Sequence, residues 1–216
     1  MSNRATSNLE PIAERIRAAL TRKHQAREAA YPLTRNVVRF AANTIRAVHR
    51  HEFEAANDLL RSARATLNEI NAAIAAHPDL SFTGYVDSAE KEYAEAAITL
   101  ALASGKPLPA PEELGVQESA YLNGLGEAVG EMRRHLLDTL RQGHVARCEE
   151  LLAGMDDIYN VLVTIDFPDA LTGGLRRTTD MVRGVLERTR GDLTIALMQQ
   201  RLEAKLSRVA ERLPDK

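Results

Sequence analysis

Apolar residues recur every three or four positions along almost the entire sequence, which is the spacing of one face of an α-helix. Proline and glycine divide this pattern into segments, most clearly at 77–79, 105–111 and 166–174. The one β-like run, VLVTI at Val161–Ile165, continues a helical pattern. The sequence therefore predicts an all-α fold of about seven helices with no sheet.

The breaks define the helices and the domain. The predicted helices span residues 11–30, 34–51, 53–76, 82–104, 118–142, 144–164 and 175–213. Pro32 is expected to end or kink the first helix, which carries an apolar stripe. That stripe consists of Ile12, Ile16, Ala19 and Leu20. Because the break at 105–111 is short, we expect a single domain over 11–213, with a flexible N-terminus at 1–10 and a tail at 214–216.

Composition excludes several classes of protein. The chain is 44% hydrophobic but only 4% aromatic and has no Trp, so its core should consist of Ala, Leu, Val and Ile. A single cysteine, Cys148, excludes an internal disulfide framework and suits a reducing compartment. No signal-peptide pattern begins the chain, and no apolar run approaches the roughly 20 residues that cross a bilayer. We expect a soluble cytoplasmic protein that does not bind membranes.

One side of the helix predicted at 34–51 carries only positive charge. Four arginines follow each other at helical spacing with no acidic residue between them on that side. They are Arg35, Arg39, Arg46 and Arg50. A row of guanidinium groups is suited to phosphates, which predicts binding of nucleic acid. The alternative is an ordinary solvated helix face.

Two pairs of glutamates lie at helical spacing on two predicted helices. Glu92 and Glu95 belong to the helix at 82–104, and Glu127 and Glu131 to the helix at 118–142. Residues three or four apart share one side of a helix, so two such helices face to face would gather four carboxylates. That arrangement is costly unless a proton or a cation neutralises it. Carboxylate oxygens suit Mg²⁺ or Mn²⁺ better than Zn²⁺, although paired glutamates are also common on solvated helices.

Three glycines are interspersed with the second glutamate pair. Gly124, Gly126 and Gly130 each cost about 1 kcal/mol relative to alanine inside a helix, so another backbone or a ligand should approach closely there. A di-iron bundle needs Glu-x-x-His motifs, which the sequence lacks, since Glu131 and His135 are four apart. Gly-rich phosphate loops, nucleophile elbows and zinc-type Cys/His spacings are also absent.

Several segments, taken in order, resemble the translin superfamily. They are TRNVVRFAANTIRAVHR, GYVDSAEKEYAEA, LPAPEELGV and AYLNGLGEAVGEMRR, followed by MDDIYNVLVTIDFPDALTGGLRRTTDMVRGVLERTRGDL. The similarity extends from about Arg15 to Leu206. It implies a fold of seven helices that assembles into a closed homo-oligomeric shell, an octamer, with the active sites facing the cavity.

The superfamily has a binding branch, translin itself, and a catalytic branch, translin-associated factor X. In the catalytic branch, acids in a Q-E-Y-V-E-A segment and in a D-x-x-x-E segment bind Mg²⁺ and cut RNA. KEYAEA matches the first segment and GEAVGE the second, with Glu127 standing where the family has Asp. The resemblance therefore assigns a catalytic and metal-binding role to Glu92, Glu95, Glu127 and Glu131.

Three functions follow as hypotheses. The first is a Mg²⁺-dependent or Mn²⁺-dependent endoribonuclease that cuts single-stranded RNA, with single-stranded DNA as a further substrate. The second is a non-catalytic protein that binds single-stranded RNA or DNA, as translin does. The third is an α-helical scaffold whose charges only solvate it. The four acids at matching positions favour the first.

Overall fold

The computed structural model describes Thr6 and residues 8–210, and this part of the chain is helical with no β-strand. The helices are α1 (Leu9–His49), α2 (Phe53–Ile74), α3 (Gly84–Ser104), α4 (Pro111–Leu114), α5 (Glu118–Arg141), α6 (Val145–Thr164), α7 (Asp169–Thr172) and α8 (Leu175–Ala210), with a 3₁₀ turn at Pro78–Phe82. The predicted all-α fold is confirmed. The predicted tail lies outside the described residues, as does most of the predicted flexible N-terminus.

Pro32 was predicted to end or kink the first helix; the helix continues through it, so the predicted end was wrong. The segments predicted at 11–30 and 34–51 form one helix of 41 residues. Proline removes a backbone N–H donor, but Pro32 lies on an exposed side of α1, where water can replace that donor. The hydroxyl of Thr34 also donates to the carbonyl of Tyr31 at 2.8 Å and supports this turn.

The N-terminal half of α1 contributes no fully buried residue to the core. Ile16 and Leu20 of its apolar stripe are 54% and 60% exposed, and Ala19 is exposed as well. The buried residues of α1 begin only at Ala30. Most of the apolar stripe is therefore left uncovered.

The pair formed by α3 and α5 lies at the centre of the bundle. Helix α3 packs against α1, α2 and α5, and α5 in turn packs against α6 and α8. From Tyr93 to Ala101 every residue of α3 is buried, mostly as alanine and aliphatic side chains. Gly143, with φ +82°, follows α5 in the left-handed conformation expected of a terminating glycine. The central helices thus hold both predicted glutamate pairs.

Candidate active site

A glycine lets α5 approach α3 closely at the predicted acidic positions. A Cβ atom on Gly124 would lie 2.8 Å from the carbonyl oxygen of Lys91 and 2.9 Å from the backbone nitrogen of Glu95. Real Cβ atoms are not found so close to backbone, so only glycine permits this approach. Gly126 similarly lies against Thr178 of α8, whereas Gly130 has open space beside it. The expected close approach of another backbone is therefore found at Gly124, whereas Gly126 meets side chains only.

This packing brings together three of the four predicted glutamates. Carboxylate oxygens of Glu92, Glu95 and Glu127 lie within 4.8 Å of one another. Glu95 is 8% exposed, while Glu92 and Glu127 are half-buried. The cluster of these three residues, called the carboxylate triad below, contains oxygen donors of the kind that Mg²⁺ and Mn²⁺ accept. Its chemistry and spacing fit a divalent cation.

The fourth glutamate is held by a histidine that sequence reasoning did not select. Glu131 accepts a hydrogen bond at 2.5 Å from Nε2 of His49, the last residue of α1. The His49 side chain is only 4% exposed, and its Nδ1 has no partner among the described residues. The hydrogen bond from His49 lowers the pKa of Glu131 and keeps this carboxylate charged beside the triad. The 82-residue separation of the partners left no local signal for the pair.

Burial and repulsion from neighbouring carboxylates raise the pKa of two triad members, Glu95 and Glu92. Burial is the main cause that raises the pKa of Glu95 to about 8, and the negative charges of Glu127, Glu92 and Glu131 raise it further. Burial also raises the pKa of Glu92. Near neutral pH Glu95 therefore carries a proton when no cation is bound. A divalent cation would replace that proton as the neutralising charge.

The raised pKa of Glu95 predicts that the metal-free protein loses stability as pH rises. Between the ordinary value of 4.5 and about 8, the folded protein keeps a proton that the unfolded chain has lost, so stability falls across this interval and then levels off. Glu95→Gln removes the ionisation. In EDTA at pH 8.5 this variant should melt at least about 3 °C above the wild type. Thermal unfolding at pH 5 and pH 8.5 measures the difference.

At pH 5 Glu95→Gln and wild type should melt at nearly the same temperature, because the side chain at position 95 is uncharged in both folded proteins. Glu69→Gln changes an exposed glutamate on α2 and serves as the control. It should follow the wild type at both pH values. A Glu95→Gln variant that gains nothing at pH 8.5 would contradict the assigned pKa.

An ammonium group lies inside the acidic cluster. Lys91 Nζ donates to Glu127 Oε1 at 2.7 Å and lies 3.7 Å from Glu92 Oε1. Burial by itself would lower the pKa of Lys91. The hydrogen bond to Glu127 and the neighbouring carboxylates outweigh burial and raise this pKa overall. The sequence contained a signal for this residue, since KEYAEA has lysine where the similar family segment begins with glutamine.

A cavity of about 730 Å³ opens beside the triad, between α3, α5 and the start of α8. Lys91 and Glu127 belong both to its wall and to the acidic cluster. Arg176 and Arg177 also line the cavity, close in sequence to Gly173 and Gly174 of the same wall. These arginines are more than 80 residues from Lys91 in sequence, so only the folded chain shows that they share a cavity.

The predicted arginine row lies in the second half of α1 and is exposed along its length. Its four residues, Arg35, Arg39, Arg46 and Arg50, fall within about 60° of one another around the helix. Arg50 donates to Glu52 at 2.9 and 2.7 Å. The other three form no ion pair within the described residues. His49, whose Nε2 contacts Glu131, lies three positions after Arg46 on the same helix.

Two further histidines, His51 and His135, lie near His49 but are not part of the triad. The rings of His51 and His135 are 5.5 Å apart. Burial, together with the charges of His51, His49 and Arg147, lowers the pKa of His135. His135 is therefore neutral near pH 7 and packs in the core. Within the described residues, the three glutamates of the triad are the one group placed to share a metal ion.

Solved structures with this arrangement of helices identify the family. The complex of AfC3PO, a translin-type C3PO, with duplex RNA matches this chain with a TM-score of 0.81 and 31% sequence identity. The match covers 87% of this chain and 97% of that chain. The chain belongs to the translin superfamily. AfC3PO in a separate crystal structure matches equally well, with a TM-score of 0.80.

Two more distant relatives share the translin fold or sequence. Apo-NeC3PO has a TM-score of 0.73 at 18% identity over 88% of this chain and 97% of that chain, a likeness of fold alone. An uncharacterized protein of Methanocaldococcus jannaschii is 29% identical over 192 residues, covering 88% of this chain and 85% of the relative. No protein-family profile matches the sequence. None of the described helices has the length and apolar character that a membrane span requires.

Proposed function

We propose that this translin-superfamily protein is a metal-dependent endoribonuclease that cleaves single-stranded RNA, with single-stranded DNA as a further substrate. The observation that carries the proposal is the carboxylate triad, where Glu92, Glu95 and Glu127 converge within 4.8 Å on the two central helices. Neither helix by itself brings these three carboxylates together. The match of KEYAEA and GEAVGE to the catalytic branch of the superfamily supports the same assignment.

The residues of the site have separate tasks in this proposal. Glu92, Glu95 and Glu127 hold Mg²⁺ or Mn²⁺, and Glu131, oriented by His49, adds a negative charge beside them. A bound Mg²⁺ supplies Lewis-acid polarisation of the phosphodiester and lowers the pKa of the attacking water. Glu95 must give up its proton before all three triad carboxylates are charged.

RNA reaches the site along the basic surfaces in this proposal. The arginine row runs along the helix that carries His49, the partner of Glu131, and Arg176 and Arg177 line the cavity together with Lys91 and Glu127. Guanidinium groups bind phosphate oxygens in bidentate fashion, which positions a strand without selecting its sequence. The solved complex of AfC3PO contains duplex RNA, which supports RNA as the ligand class.

Cleavage of labelled RNA tests the function directly. The purified protein should cut single-stranded RNA in Mg²⁺ and lose this activity in EDTA. Cleavage that persists unchanged in Glu92→Ala or Glu131→Ala would remove the proposed site. Salt-sensitive RNA binding without metal-dependent cleavage would instead indicate the binding role of translin, because phosphate contacts release counterions. That alternative is favoured by the arginine row, which needs no metal to bind a strand.

Exposed apolar stripes support a homo-oligomer as the working form. On the second half of α8, apolar residues follow each other at steps of three, four, four and three and are 57–64% exposed. These residues are Ile195, Met198, Leu202, Leu206 and Val209. Leu9, Ile16 and Leu20 form a similar uncovered stripe on α1. Such stripes match helix-to-helix packing between subunits, and we propose an octameric shell with the acidic sites facing inward.

A charge placed on the α8 stripe is expected to dissociate the assembly. Leu202→Glu would bury a carboxylate in each apolar contact between subunits, which costs several kcal/mol at every interface. Light scattering should show the wild type as an oligomer and Leu202→Glu as monomers or small species. Gln200→Glu adds the same charge at an exposed position on another side of α8 and should leave the mass unchanged. Equal masses for Leu202→Glu and wild type would exclude the stripe as an interface.

A further inference from the structure

Lys91 occupies a position that a cation would otherwise take. Its ammonium donates to Glu127 Oε1 at 2.7 Å and lies 3.7 Å from Glu92 Oε1, so it contacts two members of the triad at once. The side chain is only 25% exposed and extends from the same helix as Glu92 and Glu95. The ammonium is therefore a fixed part of the site and not a solvated surface group.

The ammonium and a divalent cation would compete for the same carboxylates, Glu127 and Glu92. Mg²⁺ binds carboxylate oxygens at about 2.0–2.1 Å, and a Glu127 oxygen that accepts from Lys91 has less electron density to share. The charges also repel, because two cations cannot both lie within a few ångströms of Glu127 without a large Coulomb cost. A cation entering the triad must displace the Lys91 ammonium.

The structure also shows where the displaced ammonium would go. Lys91 lines the 730 Å³ cavity, whose wall includes the acids Asp87 and Asp180. Asp87 precedes Lys91 by one helical turn, so rotation of the lysine side chain alone carries the ammonium from Glu127 toward this carboxylate. Displacement therefore requires no backbone movement and brings the ammonium toward Asp87, in a cavity whose wall also carries Arg176 and Arg177.

We propose that Lys91 is an internal counter-ion of the carboxylate triad that competes with the divalent cation and so sets the affinity of the site for it. This inference rests on the proposed metal-dependent function. In the metal-free protein Lys91 neutralises part of the negative charge of the acidic cluster and so stabilises the folded state. Once a cation binds, the ammonium turns into the cavity. Lys91 thus determines the metal concentration at which the site fills.

Metal binding without RNA tests the competition. Free Mn²⁺, followed by its electron paramagnetic resonance signal, gives the dissociation constant for each variant. Lys91→Met, which keeps the unbranched apolar stem of the side chain but not the charged end, should bind Mn²⁺ about tenfold more tightly than wild type, as expected for loss of one charged hydrogen bond. Lys91→Arg keeps the charge and should bind Mn²⁺ no more tightly than wild type. Lys106→Met changes an exposed loop lysine and is the matched control.

The outcomes separate this inference from the proposed function. Wild type that binds Mn²⁺ while Lys91→Met binds it equally or less tightly would overturn the inference and leave the nuclease proposal standing. Failure of both proteins to bind Mn²⁺ would overturn both. If Lys91→Met binds Mn²⁺ and the wild type does not, the inference is supported, because Lys91 is then what prevents Mn²⁺ from binding.

A measurement on the wild-type protein avoids any effect of substitution on folding. Amine-reactive acetylation, read by mass spectrometry, reports how accessible each lysine nitrogen is. Saturating Mg²⁺ should accelerate modification of Lys91 several-fold and leave Lys106 unchanged. An unaltered Lys91 rate at a Mg²⁺ concentration that saturates the site would show that the ammonium stays in place and would overturn the proposal.

Discussion

Replacing Glu127 by glutamine is expected to reduce metal-dependent RNA cleavage by at least about 100-fold, since loss of residues that merely support metal ligands already costs 10–100-fold. Glu127 belongs to the triad and lies on α5, opposite the two triad residues of α3. The amide keeps the size of the side chain but loses the charge that a cation requires. Initial cleavage rates of a labelled single strand at several Mg²⁺ concentrations measure the effect.

Two companion variants show whether charge or side-chain length matters at this position. Glu127→Asp keeps the carboxylate and restores the residue found at this place in the catalytic branch, so cleavage should remain. Glu69→Gln removes an exposed charge far along α2 and should behave as wild type. RNA binding in EDTA should be retained by Glu127→Gln, because the arginine row is untouched. Full cleavage by Glu127→Gln would rule out the triad as the catalytic site.

A methyl group added at Gly124 is expected to destabilise the protein by about 2–4 kcal/mol. A Cβ atom there would meet the backbone of Lys91 and Glu95 at 2.8 and 2.9 Å, and backbone cannot move aside as a flexible side chain can. The gain of about 1 kcal/mol in helix propensity from Gly124→Ala offsets only part of this cost. Urea unfolding of metal-free protein measures the change.

Gly130→Ala is the matched control on the same helix, with the opposite expected sign. A Cβ atom at Gly130 has nothing within 4 Å, so alanine should add up to about 1 kcal/mol of stability. Since separation of α5 from α3 moves Glu127 away from Glu95, Gly124→Ala should also weaken Mn²⁺ binding. Equal stability of the two variants would show that the helices can separate at Gly124 without cost.

The helical spacing of residues in the sequence was sufficient to identify the four glutamates but not to predict how they are arranged in space. Helical spacing placed Glu92 with Glu95 and Glu127 with Glu131, because neighbours on one helix face depend only on the geometry of that helix. Whether the two pairs meet depends on how α3 and α5 pack. The structure brings Glu127 into the triad and pairs Glu131 with His49, a contact between residues 82 positions apart. No periodic signal exists for such a contact.

Pro32 shows that the helix propensity of one residue does not by itself predict where a helix ends. The intrinsic preference of proline argues for a helix end, and the sequence alone leaves that preference unopposed. In the folded chain, Pro32 lies on an exposed side of a helix that is anchored in the core from Ala30 onward. Packing of α1 against α2 and α3 outweighs the loss of one backbone hydrogen bond. Tertiary contacts therefore decided that α1 continues past Pro32.

The sequence by itself determined the all-α class, the two acidic pairs, the arginine row and the similarity to the translin superfamily, since each depends on the order and spacing of nearby residues. Only the tertiary structure decided that three carboxylates meet, that Lys91 lies between them, and that Arg176 shares their cavity. The physical reason is distance along the chain. Periodicity describes one helix at a time, whereas the charge balance of a site depends on which helices pack together.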